Sequence, residues 1–304
     1  MKSQNKTLFV FALLITLSSC KAQTTSIIKE GAELTLVADG YDFTEGPAVD
    51  KNGDVYFTDQ PNDRIVKWDA SDNSVSDWMK PSGRSNGLYF DLDGNLIACA
   101  DEKNEIWRID VEKNITVLVK DFENKKLNGP NDLWIDTKGG IYLTDPHYKR
   151  PYWNRTQDTI PKRVYYLSPD NEEISIAAEN YSQPNGIIGI PDGKTLYVAD
   201  IGYPGSSSDK KTYSYSIQAD GSLINKRVFC EMGSDGMTID NKGNVYLTGN
   251  GVTVFNSNGK QIEHIKIPEA WTANVTFGGP NQDILFITAM DSVYTLEMNV
   301  NGIR

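Results

Sequence analysis

Apolar and polar positions alternate along this chain in short runs that repeat as one unit: an alternating run, a turn containing Asp and Gly, then a second run that usually ends in Thr-Asp or a similar pair. Six copies are legible, at residues 48–59, 89–101, 134–145, 188–200, 238–249 and 276–289. A period of two predicts strands, and the turn between the runs makes each copy a hairpin. Four turns share Asp-x-x-Gly (Asp50/Gly53, Asp91/Gly94, Asp136/Gly139, Asp240/Gly243), where the Asp caps the turn and the Gly takes a positive φ. They are not calcium loops, since Asp91-x-Asp93-Gly94 lacks the alternating ligands and the later Glu. A third run follows most hairpins, as in Arg64–Trp68, Glu105–Ile109, Arg163–Leu167, Tyr213–Ile217 and Val252–Phe255.

The turn aspartates fall at 50, 91, 136, 192 and 240, with a degenerate sixth turn near 280, which is the length of a propeller blade. The predicted fold is all-β: a six-bladed β-propeller with four-stranded blades around a central metal-binding channel. No helical periodicity of useful length competes with it. Leu34–Val37, ahead of the first repeat, is placed to complete the last blade and fasten the ring. A two-domain β-sandwich fits the strand content and leaves six equal repeats unexplained.

The N-terminus does not share this pattern. Lys2 and Lys6 precede the apolar run Leu8–Leu17, too short to span a membrane, and Leu17-Ser18-Ser19-Cys20 follows. Residues 1–19 read as a signal peptide resembling the lipobox type, Cys20 as the lipidated residue, 20–33 as lipidated N-terminus and tether, and 34–304 as the propeller hydrolase domain. The expected location is a bacterial cell envelope, periplasmic or outer-membrane-associated, with the membrane met through the lipid only.

Thirty basic against forty-one acidic residues give a net charge of −11, and loss of Lys2 and Lys6 takes it to −13. Nucleic acid is excluded as a partner by that sign. Cys99 and Cys230 both lie in apolar runs; buried thiols are the ordinary reading, and a disulfide is left open.

Candidate chemistry sits just ahead of each first run: Glu45 in Thr-Glu-Gly-Pro, Asn86 in Asn-Gly-Leu, Asn131-Asp132 after Gly-Pro, Asn185 in Pro-Asn-Gly-Ile, Asp235 in Asp-Gly-Met, and Asn274. Any one of these is ordinary loop chemistry. Six of them at the same place in a ring converge on the axis as an oxygen-rich site without His or Cys. Such a donor set favours one divalent cation, calcium first, with magnesium or manganese behind it and zinc a remoter possibility. Glu45 and Asp235 would neutralise its charge.

In order and spacing these motifs resemble the gluconolactonase/senescence-marker-protein/luciferin-regenerating-enzyme family over residues 40–296. The resemblance implies a six-bladed propeller with a cation in its tunnel. It also implies Glu45, Asn185 and Asp235 as ligands, and Asn131 as ligand or substrate contact. Asn86 and Asn274 match positions nearer the pocket rim, where Asp132 is also expected to meet substrate.

The implied reaction is opening of a lactone, a sugar lactone giving a sugar acid. The cation polarises the carbonyl, and Asp235 acts as general base or orients the water. Loops after the second runs are placed on the side of Asn131, so residues 146–161 form a lid carrying His147, Tyr148, Arg150, Trp153 and Arg155, with 201–211 a second insertion. Arg84, beside Asn86, is a further candidate substrate contact. With only His147 and His264 in the chain, a Ser-His-Asp triad has little support. Two other readings remain open: hydrolysis of organophosphates or aryl esters on the same site, and a non-catalytic ligand-binding propeller.

Overall fold

The computed structural model describes residues 26–153, 160–202 and 210–303. The signal segment, Cys20 with tether residues 21–25, Arg155 and residues 203–209 of the second insertion lie outside them. Six antiparallel four-stranded sheets make up the fold. Their inner strands are Thr44–Val49, Ser85–Phe90, Leu133–Ile135, Pro184–Gly189, Met237–Ile239 and Asn274–Gly278, and in five blades the other strands follow outward in chain order. Inner and second strands pack between neighbouring blades and are buried on both faces, with Phe57, Tyr142, Tyr246 and Phe286 fully enclosed. Outermost strands such as Ile115–Val119 are largely exposed, only Val119 of that strand being buried.

The sixth blade is a composite. Its outermost strand is Thr35–Ala38, which pairs Thr35 with Thr295 and Leu36 with Tyr294, so the ring closes by hydrogen bonds between the two ends of the chain. Packing begins earlier than Leu34. Ile27 is buried, its carbonyl accepts from Asn299 N at 2.8 Å, and Ile28 bridges Met298. This junction lies at the hairpin-turn end of the blade, where Met298 N also donates to Asp283 O.

Two sets of aspartates hold the blades in shape. In the turns, Oδ1 of Asp50, Asp91, Asp136 and Asp240 each accepts the backbone N–H groups two and four residues on. At the opposite end, carboxylates closing the second strands brace the incoming connection. Asp145 accepts from Asn128 N and Gly129 N at 2.9 Å, and Asp200 accepts from Ser182 N and Gln183 N at 2.7 Å. The Thr-Asp of the repeat therefore fixes the segment that delivers the candidate site residues. Cys99 and Cys230 are buried and unpaired. Among the described residues no helix is long and apolar enough to cross a membrane.

Candidate active site

Backbone register decides which side chains face each other on the axis. Asn131 N donates to Thr144 O, and Ala273 N donates to Thr288 O, both at 2.9 Å; Ala273 is thus the blade-six counterpart of Asn131. Asp132, Gly236 and Asn274 likewise share one register, each N–H reaching the Oγ1 of Thr144, Thr248 or Thr288. The first ring of side chains is therefore Glu45, Asn86, Asn131, Asn185, Asp235 and Ala273. Five blades supply an oxygen there, not six. Asn274 belongs one residue deeper with Asp132, and it is buried, not on the rim as expected.

Asp132 and Asn274 fill space that the other blades leave open. A Cβ on Gly236 would lie 1.9 Å from Asn274 Cγ, and one on Gly87 2.6 Å from Asp132 Oδ1. The Gly following the candidate ligand in the Asn-Gly and Asp-Gly motifs is a steric requirement of the crowded axis, in addition to any turn preference. Asn274 Nδ2 donates to Asp132 Oδ2 at 3.4 Å, while Leu133 N holds Asp132 Oδ1 at 2.9 Å. A recess of about 940 Å³ opens from the hairpin-turn side and reaches this pair, but none of the oxygen-bearing first-ring side chains.

On the other side stands the candidate centre. Asn185 Nδ2 donates to Asp235 Oδ1 at 2.7 Å and to the Tyr148 hydroxyl at 2.9 Å, and Trp271 Nε1 donates to Asp235 Oδ2 at 2.6 Å. Gly46 N holds Glu45 Oε2 at 3.0 Å. Burial, then the charges of Asp235 and Asp132, push the Glu45 carboxyl well above the usual carboxylate range. Burial raises Asp132 to about 7 and Asp235 to about 6, the latter against the pull of Trp271 and Asn185. Three mutually repelling acids on one axis are a poor arrangement for an empty protein interior and a suitable one for a cation.

The donor set fits a hard cation. Asn185 Oδ1 is buried and has no hydrogen-bond partner, an acceptor left without a donor. Among the described residues no three His, Cys, Asp or Glu side chains form a metal cluster by themselves, so a cation here needs the amide oxygens as well. That composition suits calcium, magnesium or manganese better than zinc.

The lid is fastened at two points. Gln183 exchanges hydrogen bonds with the His147 backbone, its Nε2 donating to His147 O at 2.8 Å. On the far side Asp101 receives Arg150 Nε at 3.0 Å and the Tyr152 hydroxyl, while its carbonyl accepts Trp153 Nε1 at 2.9 Å. Asp101 serves here and not as a bracing aspartate. Ser85 pairs with Ala100, as Thr44 pairs with Asp59 and Pro184 with Asp200, so Asp101 stands one residue beyond the bracing position.

Of the candidate substrate contacts, Tyr148 is in the site through Asn185, and the His147 ring stacks on Trp153 at 6.1 Å. The Arg84 guanidinium is engaged beneath the lid, bonded to the Pro61 carbonyl, near Glu102 and 4.8 Å from the Tyr152 ring. Asn86 and Asn131 are buried in the first ring. His264 lies on the outermost strand of blade five and bonds Thr253, far from this chemistry. Trp271 and Asp101 were not legible as site residues: the first comes from a connection outside the repeat, and the second sits one residue out of phase with it.

A six-bladed propeller with an acidic and amide centre under a pinned lid defines a class of axial-site propellers. The particular family follows from comparison: residues 43–291 match the SMP-30/gluconolactonase/LRE-like region, and the chain belongs to that family. A gluconolactonase of Zymomonas mobilis subsp. mobilis is 28% identical over 91% of this chain and 84% of its own. A diisopropyl-fluorophosphatase of Loligo vulgaris is 26% identical over 88% and 93%. A solved gluconolactonase structure from Xanthomonas campestris superposes with a TM-score of 0.82 at 29% identity, covering 90% of this chain and 91% of that one.

Proposed function

We propose that this chain hydrolyses lactones, opening a sugar lactone to its acid, with a divalent cation held by Glu45, Asn131, Asn185 and Asp235. The observation that carries the reading is Asn185, whose buried Oδ1 lacks a donor among three repelling carboxyls, in a chain similar to gluconolactonases over nearly its whole length. A bound cation, calcium by preference, would supply Lewis acidity to the lactone carbonyl.

The chain's own residues do the rest. Asp235 accepts the proton of the attacking water and returns it to the alcohol released when the ring C–O bond breaks. Tyr148 directs its hydroxyl into the site beside Asn185, and Tyr148 with His147 forms the lid side that meets the sugar. Asn86, Asp132 and Asn274 line the floor.

The test is hydrolysis of sugar lactones, aromatic lactones and aryl phosphotriesters by the chelated protein, before and after adding calcium. Lactonase activity should vanish with chelator, return with calcium, and be lost in Asp235→Asn with folding intact. Equal turnover in that variant would overturn the base assignment. Similarity to a fluorophosphatase favours a second reading, phosphotriester hydrolysis on the same site, and the third substrate decides it. We also infer acylation of Cys20 and an envelope location; labelling with an alkynyl fatty acid that persists in Cys20→Ser would refute both.

A further inference from the structure

Blade five departs from the repeat. Where blades one, three and four close the second strand with Asp59, Asp145 and Asp200, it has Gly249. The vacated space is occupied: a Cβ on Gly249 would lie 3.7 Å from the six-membered ring of Trp271, and Gly249 itself holds φ +149°. The indole arrives on the connection between Gln261–Ile265 and Asn274–Gly278, pinned by Thr272 N donating to Gly249 O at 2.8 Å. From there Nε1 reaches Asp235 Oδ2 at 2.6 Å. A Cβ at Gly249 would touch the indole at ordinary van der Waals distance; it is the φ of +149° that favours glycine there.

The effect on Asp235 is specific. A carboxylate with two free oxygens can rotate, bind a cation through either or both, or turn away. With Oδ2 held by the indole, Oδ1 is the oxygen directed at Asn185. Glu45 is treated alike, its Oε2 held by Gly46 N. In each case a protein N–H holds one named carboxylate oxygen, and the second oxygen of Asp235 meets the side chain of the neighbouring candidate ligand Asn185.

We propose that Trp271 is a positioning residue that presents Asp235 to the cation through a single oxygen, with the side-chain-free Gly249 leaving room beside the ring. This rests on the cation reading above. Outer N–H donors to ligating groups commonly matter by about 10–100-fold in metal affinity.

Calcium binding to the purified protein, followed by isothermal titration calorimetry, tests this alongside thermal melting of the chelated form. Trp271→Phe, which keeps a ring and removes the N–H, should weaken calcium binding at least about tenfold with little change in melting temperature. Trp271→Gln, which restores an N–H donor, should recover part of that affinity. Wild-type affinity in the Phe variant would overturn the positioning role while leaving the cation site standing. So would a Gln variant as weak as Phe in a folded protein. A wild-type protein that binds neither calcium, magnesium nor manganese overturns the cation reading, and this proposal with it.

Discussion

Raising the pH from 5 to 8 in the presence of chelator should destabilise this protein, and calcium should abolish the effect. Asp132 is raised to about 7 and Asp235 to about 6, chiefly by burial, from an ordinary 3.8. Between pH 5 and those values the folded state keeps protons that the unfolded chain has already released. Stability is therefore greater at the acid end of the window and declines as pH climbs through the folded values. Two pH steps for Asp132 and one for Asp235, at about 1.4 kcal/mol each, give about 4 kcal/mol. For a domain of this size that is roughly 8 °C in melting temperature. Differential scanning fluorimetry at pH 5, 6, 7 and 8, with chelator or with millimolar calcium, measures it directly. Calcium bound to the ionised carboxylates stabilises only the folded state and should flatten the profile. A melting temperature that holds or rises with pH in chelator would refute the crowding argument. A decline that calcium leaves untouched would mean the crowded acids are not a cation site.

Asn185→Ala should weaken calcium binding about 10–100-fold and, because it also removes the Nδ2 donor to Asp235 Oδ1 and to the Tyr148 hydroxyl, should lower the stability of the chelated protein by about 1–3 kcal/mol; calorimetry and melting read the two effects. Gly236→Ala, whose added carbon would fall 1.9 Å from Asn274 Cγ, should lower stability by at least about 1–3 kcal/mol, read as a reduced urea midpoint. Asp101→Asn should release the lid: trypsin should cut after Lys149 several-fold faster, and KM should rise more than kcat falls, because Arg150 and Tyr152 lose their anchor.

Much of the fold was legible because each blade is written locally. Two-residue alternation and the Asp-x-x-Gly turn need no distant partner to be recognised, and the closing strand followed from counting five complete blades and one short of an edge. The positions of the candidate residues in the ring were legible where the repeat kept phase. Glu45, Asn131 and Asp235 each stand five residues ahead of the Asp of a regular turn, and Asn185, whose turn Pro191-Asp192-Gly193 is irregular, is placed by its Pro-Asn-Gly motif. Asn274 was displaced by one position because the sixth turn, Gly279–Asp283, lacks the Asp-x-x-Gly ruler; only pairing with Thr288 fixes it. Asp101 looked like a member of the repeat until its register showed that Ala100 holds that place. Trp271 meets Asp235 across two blades through a connection with no repeat signature, a contact that sequence spacing does not encode.

The junction of blade six also sets how the enzyme faces its surroundings. Ser26–Lys29 docks beside Met298 and Asn299 at the hairpin-turn ends, on the side of the disc opposite the lid. Only five residues separate Cys20 from Ser26, a reach of at most about 20 Å. An acyl group at Cys20, as proposed above, would be tethered to that face and leave the lidded mouth open to the other side.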